Sequence, residues 1–160
     1  MSGAQQAARS CADLTASLVV EGCLPMIMGE VAGQSPIAGL PVTPEERAKL
    51  NLDPAGLTVF YPAQDEGVFF DMMNTSFQLW FAGGDIDRAT SALDSALKRA
   101  FPKLQQLDDV PHQKDKRLHA RVYRVELPRG RLAAISTSFK DLKDGRRQFK
   151  VRIQAQARPA

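Results

Sequence analysis

The chain holds little of what usually marks a function in a sequence of its size. Of 160 residues, two are cysteine, two are histidine and one is tryptophan. Neither G-x-G-x-x-G nor G-x-x-x-x-G-K-[ST] occurs, so both common glycine-built phosphate cradles are missing. No ligand spacing around His112 or His119 resembles a zinc pattern. No apolar run approaches the ~20 residues of a membrane span; Leu18-Val19-Val20 and Met26-Ile27-Met28 are short and interrupted by Glu21, Gly22 and Pro25. The start lacks the basic-then-apolar pattern of a secretory signal. SGAQQAA after Met1 also suits a chain that has lost a leader, so the compartment stays open between cytoplasmic and exported. Internal repeats and low-complexity tracts are absent too.

The scarce cysteines are expected to be free. A helix from Ala4 to Glu21 running up to Cys23 would hold Cys11 and Cys23 ~18 Å apart, whereas a disulfide needs Cα atoms within ~7 Å. Only a break near Gly22 would bring them together. Both are read as small buried hydrophobes.

What is present is an ordinary globular composition, 44% hydrophobic and 24% charged, which excludes a disordered chain. The length predicts one domain, 1–160, able to bury a core without disulfide or metal. Residues 1–50 are expected to be mainly helical, and 56–160 to form a sheet plus one helix over 85–101.

That helix is the best-specified element. Phe77, Leu79 and Phe81 alternate with Gln78 and Trp80 as a strand, and Gly83-Gly84 ends it. Asp85 is placed to cap the helix. Ile86, Ala89, Leu93, Ala96, Leu97, Ala100 and Phe101 then share one face. Asp87 at the start and Lys98 and Arg99 at the end suit the helix dipole, and Pro102 closes it.

Elsewhere, Ala4, Ala7, Ala8, Cys11, Leu14 and Leu18 form a helical stripe that Gly22 is expected to stop. Pro25 opens a second short helix. Residues 33–42 read as an irregular loop, and Thr43-Pro44-Glu45-Glu46 as a capping box. Strands are expected at Thr58–Tyr61, Val68–Met72, Phe77–Phe81, Arg117–Leu127, Arg131–Phe139 and Gln148–Ala157, with a further hint around Leu104, Leu107 and Val110. In the strand from Arg117 the alternation changes parity after Val122, which predicts a bulge near Tyr123–Arg124. The fold class is therefore α+β: N-terminal helices, then a mainly antiparallel sheet of about six strands with one helix packed across one face.

The net charge of +3 hides a division. Residues 1–97 carry four bases and twelve acids, and residues 98–160 seventeen bases and six acids. This asymmetry predicts an anionic partner for the second half or attraction between the halves. Arg121, Arg129, Arg131, Arg146, Arg147, Lys150 and Arg152 are the candidate contacts, on a basic sheet face turned toward an acidic protein or a small anion. Nucleic acid is the competing partner, set back because Tyr123 is the only aromatic read onto that face and stacking needs more. A solvated face that merely discourages aggregation is the plain reading.

Other signals carry less. Asp85 and Asp87 after the glycine pair would repel a phosphate at that helix terminus. His119, Arg121 and Tyr123 share a strand face and could form a small polar constellation, the basis of a third and least favoured reading as a small hydrolase-like enzyme. An exposed strand face places such residues by default, so no catalytic residue and no cofactor is assigned. Asn74-Thr75-Ser76 matches a glycosylation sequon in what reads as a short turn, where chance explains it.

Overall fold

The computed structural model describes residues 9–28, 40–50, 57–64, 66–73 and 76–156. Among these, eight strands form one antiparallel sheet: β1 (Leu40–Pro41), β2 (Leu57–Ala63), β3 (Glu66–Met73), β4 (Ser76–Ala82), β5 (Gln105–Pro111), β6 (His119–Leu127), β7 (Arg131–Asp141) and β8 (Arg147–Gln156). The α+β class, the antiparallel sheet and the helix across one face are as the sequence leads one to expect. Two strands exceed the expected six. One is the two-residue β1, inside the stretch read as loop, and the other is β5, where Leu107 and Val110 had given a hint.

The spatial order is β1-β2-β3-β4-β8-β7-β6-β5. A first meander ends at β4 in the middle of the sheet. The chain then crosses one face through helix α4 (Ile86–Ala100) to the far edge. A second meander returns from β5 until β8 pairs with β4, Leu79 opposite Val151. The long crossover is necessary because β8 closes the gap last.

Two features of α4 differ from the expectation. Ala89, Thr90, Leu93 and Leu97 are its buried residues, whereas Ala100 is exposed. Burying Leu93 and Leu97 stabilises the layer by roughly 1.5–3 kcal/mol each. Asp85 occupies the N-cap position, but its side chain makes no cap bond to its own helix. Its Oδ1 instead accepts from the Ala12 N–H at 3.4 Å, in the first turn of helix α1 (Cys11–Ser17). There the carboxylate meets the positive end of a second dipole. Arg88 reaches Asp13 of α1 at 3.2 Å, so the two helices are also joined by charge.

Gly22 does not stop the first helix. After α1, capped by Ser10, the chain passes through a π-helical turn (Leu18–Cys23) into helix α2 (Leu24–Met28). Pro25 supplies the reason: it has no N–H for the carbonyl four residues back and its ring crowds that carbonyl. The preceding turn widens, and Leu24 N–H bonds Val19 O, five residues away. Cys11 and Cys23 are both free and buried, and burial pushes the Cys23 thiol well above its ordinary range. The capping box holds: Thr43 and Glu46 bond reciprocally at the start of helix α3 (Pro44–Lys49). Ala4, Ala7 and Ala8, most of the expected loop, Asn74-Thr75 and Ala157 lie outside the described residues.

Strand parity settles which side chains face the helices. On the inner face Tyr61, Val68, Phe77, Leu79, Phe81, Ile135, Phe149, Val151 and Ile153 form the core with α1 and α4. In β6 the buried residues are Tyr123, Val125 and Leu127, so the expected inward set of Ala120 and Val122 belongs to the outer face. No bulge interrupts the pairing of β6 with β7. The irregularity sits across the ladder in edge strand β5, where Leu107 is the extra residue between Gln106 and Asp108.

Candidate functional site

The outer face is read from the cross-strand register. Phe60 of β2 pairs with Phe69 of β3, Phe69 with Trp80 of β4, Trp80 with Lys150 of β8, and Lys150 with Ser138 of β7. The neighbouring row runs Thr58, Asp71, Gln78, Arg152, Ser136 and Val122. The first row thus passes from three aromatic rings to a lysine, and the second from a buried Thr58–Asp71 hydrogen bond (3.1 Å) to an arginine. Phe69 lies 5.0 Å from Phe60 and 5.5 Å from Trp80, the latter pair nearly parallel at 13°. Ser138, Lys140, Arg152 and Gln154 are exposed, so the β7–β8 part of this face meets solvent.

The seven basic residues expected to form one platform do not gather. Lys150 and Arg152 alone lie together on the outer face of a central strand, two residues apart and hence ~7 Å along it. Neither has an acidic partner among the described residues. Arg129 is exposed on the 3₁₀ turn Pro128–Gly130, with a left-handed φ of 65°. Arg131 bends back to the N-terminal helices, donating to the Ile27 carbonyl at 2.6 Å. Arg146 binds Asp144 at 2.8 Å. Arg147 binds Asp141 at 2.7 Å and approaches Asp115 at 3.7 Å. Those guanidinium groups hold their acids low: Arg147 and Lys114 keep Asp141 at about 2, and Arg117, with Arg147 behind it, keeps Asp115 at about 2.

Arg121 corrects the expected layout most. Together with His119 and Tyr123 it lies on the inner face, at the margin of α4, and not on the open basic face. His119 Nδ1 is 2.6 Å from Asp109 Oδ1, and Arg121 Nε donates to Asp109 Oδ2 at 3.1 Å. Arg121 also lies 3.5 Å from Asp94 of α4, which accepts from Tyr123 at 2.7 Å and pairs with Lys98 at 2.9 Å. Burial works to raise the Asp94 pKa, but Lys98, Tyr123 and Arg121 outweigh it and leave it lowered. The hydrogen bond from His119 is the main cause that lowers Asp109. The Tyr123 phenol is pushed up, by burial first and by Asp94 second. Among the described residues no hydroxyl or thiol bonds the His119 ring. The acids and bases of this cluster satisfy one another and tie β5 and β6 to the helix.

The sequence reading missed the aromatic row. Trp80 alternates with Phe77, Leu79 and Phe81, so its opposite face was legible; its juxtaposition with Phe69 and Lys150 depends on strand order. Among the described residues, no group of three or more His, Cys, Asp or Glu side chains is disposed to hold a metal ion, and no helix is long and apolar enough to cross a membrane. Comparison with protein-family models, with curated proteins and with solved structures finds no match to this chain.

Proposed function

We propose that this chain is a binding protein whose outer sheet face takes an acidic segment of a partner protein, or a small anion, on Lys150 and Arg152. The observation that carries this reading is that, among the described residues, neither has an acidic partner, whereas Arg121, Arg146 and Arg147 are each held by an aspartate. A charged pair with no partner at home keeps its full attraction for an incoming anion. Arg124 and Lys140, on the same face, extend the positive field beyond the expected seven. Among the described residues Arg124 there binds the neutral Gln105, at 2.8 Å.

Nucleic acid is the second reading, and Trp80 favours it. An indole directly beside Lys150, stacked on Phe69, offers a base a flat surface next to a phosphate contact.

The test is a fluorescence-anisotropy titration with a labelled oligoglutamate peptide and with an oligothymidine of about fifteen nucleotides, each between about 50 and 200 mM salt. The first reading expects salt-sensitive peptide binding that Lys150→Gln/Arg152→Gln weakens at least about tenfold. Oligothymidine binding that quenches Trp80 and outcompetes the peptide would replace it with the second. No binding of either probe at low salt would reject both.

A further inference from the structure

The aromatic row has a depth that the basic pair does not use. At its β2–β4 end, Leu50, Phe60, Phe69, Trp80 and Leu142 surround a cavity of about 400 Å³, with Arg146 and Gln148 on its wall. That size and lining are those of a small-molecule site, mostly apolar with few polar groups. Its floor depends on Gly67: the Phe60 ring lies where a Cβ at that position would stand. The ring can lie flat along the strand pair only because position 67 carries no side chain.

The charge at the mouth has one predominant sign. Gln148 is flanked by Lys150 two residues along β8 and by Lys140 directly across on β7. Directly opposed side chains have Cβ atoms about 5 Å apart, which puts Lys140 next to the wall residue Gln148, within a lysine's reach of the rim. Among the described residues neither lysine has an acidic partner, while Arg146 brings Asp144 with it. Arg146 on the wall, with Lys140 and Lys150 beside the wall residue Gln148, therefore sets a positive field at a cavity whose Trp80 and Phe69 rings stack and whose Phe60 ring tilts against Phe69.

We infer that this cavity binds an organic anion with a flat or short apolar body, an aromatic or medium-chain carboxylate or sulfonate, its rings against Phe60, Phe69 and Trp80 and its charge toward Lys140. This site lies beside the Lys150–Arg152 pair and stands or falls separately from the reading proposed for that pair.

Trp80 is the chain's single tryptophan, so any change in tryptophan emission arises at the aromatic row, and energy transfer to a probe requires the probe beside it. The full chain is titrated with 1-anilinonaphthalene-8-sulfonate and, in parallel, with uncharged N-phenyl-1-naphthylamine, which has the same rings. The expected result is one saturable site with energy transfer from Trp80, competed by octanoate, and a neutral analogue about tenfold weaker, as for one lost charge contact. Lys140→Glu should weaken the sulfonate about tenfold and leave the amine unchanged. Leu142→Glu, with circular dichroism confirming the fold, should abolish both. Absent energy transfer, equal affinity for the two probes, or indifference of the sulfonate to Lys140→Glu would each overturn the assignment.

Discussion

The phenol of Tyr123 donates to Oδ1 of Asp94 across 2.7 Å, fastening the largest fully buried side chain of the sheet to the middle of the helix that crosses it. Ring burial and polar anchoring come from one residue, because a tyrosine can be apolar along its body and wet at its tip. Tyr123→Phe keeps the packing and removes only the donor. Asp94 retains Lys98 and Arg121, so the loss is expected at the low end for a bond to a charged group, about 1.5 kcal/mol. Urea unfolding should show a lower midpoint with an unchanged slope.

Acid should loosen the β7–β8 end before the core. Asp141 and Asp115 are held at about 2 in the folded chain by arginines and, for Asp141, by Lys114, whereas an unfolded aspartate titrates near ~3.9. Because the folded values are the lower ones, the stabilisation is complete above about pH 4 and is lost as pH falls toward 2. Melting temperature against pH should decline through that window, less steeply in high salt. Asp141→Asn should flatten the decline; an unaltered profile would remove this pair from the account.

Local pattern carried the sequence reading a long way. Alternation placed β4 and β8, and the capping box at Thr43 and the proline after Phe101 bounded two helices. What it did not carry was anything decided across strands. The apolar residues change parity after Val122 but the strand does not: His119 and Arg121 hold the inner positions ahead of Tyr123 and are polar there because they meet Asp109 and Asp94; the bulge belongs to β5 opposite. The seven basic residues looked like one surface because their neighbours in space were unknown. Once Asp94, Asp109, Asp141 and Asp144 are in place, three of the seven, Arg121, Arg146 and Arg147, are committed to acids within the fold, and Arg131 to the Ile27 carbonyl. Lys150 and Arg152 differ only in facing a tryptophan and a glutamine instead of acids.

Gly67 is expected to be intolerant of even one methyl group. A Cβ there would collide with the Phe60 ring and stand 2.7 Å from the Tyr61 carbonyl oxygen, which is backbone and has little room to retreat. Gly67→Ala should therefore cost about 1–3 kcal/mol, as overpacking does. It should also displace the Phe60 ring from Phe69, which the upfield-shifted aromatic resonances of the pair would report. If the substitution is neutral in thermal unfolding, the Phe60 ring is not held over the strand pair.

Arg121 and Arg152 separate a structural cation from an available one. Arg121 lies between Asp94, half-buried against α4, and the more exposed Asp109; its removal takes one cation from each, leaving Lys98 to Asp94 and His119 to Asp109. Arg121→Gln is expected to cost about 1–2 kcal/mol, below the figure for a fully buried pair because the site retains some solvent. Arg152 touches no acid among the described residues and is exposed, so Arg152→Gln should stay within about 0.5 kcal/mol of the parent. The two variants should behave oppositely toward the acidic peptide: weakened binding with intact stability for Arg152→Gln, weakened stability with intact binding for Arg121→Gln. A reversal would mean that the anion contacts the inner margin near α4, and that Lys150 and Arg152 are solvated charges on a sheet kept from self-association.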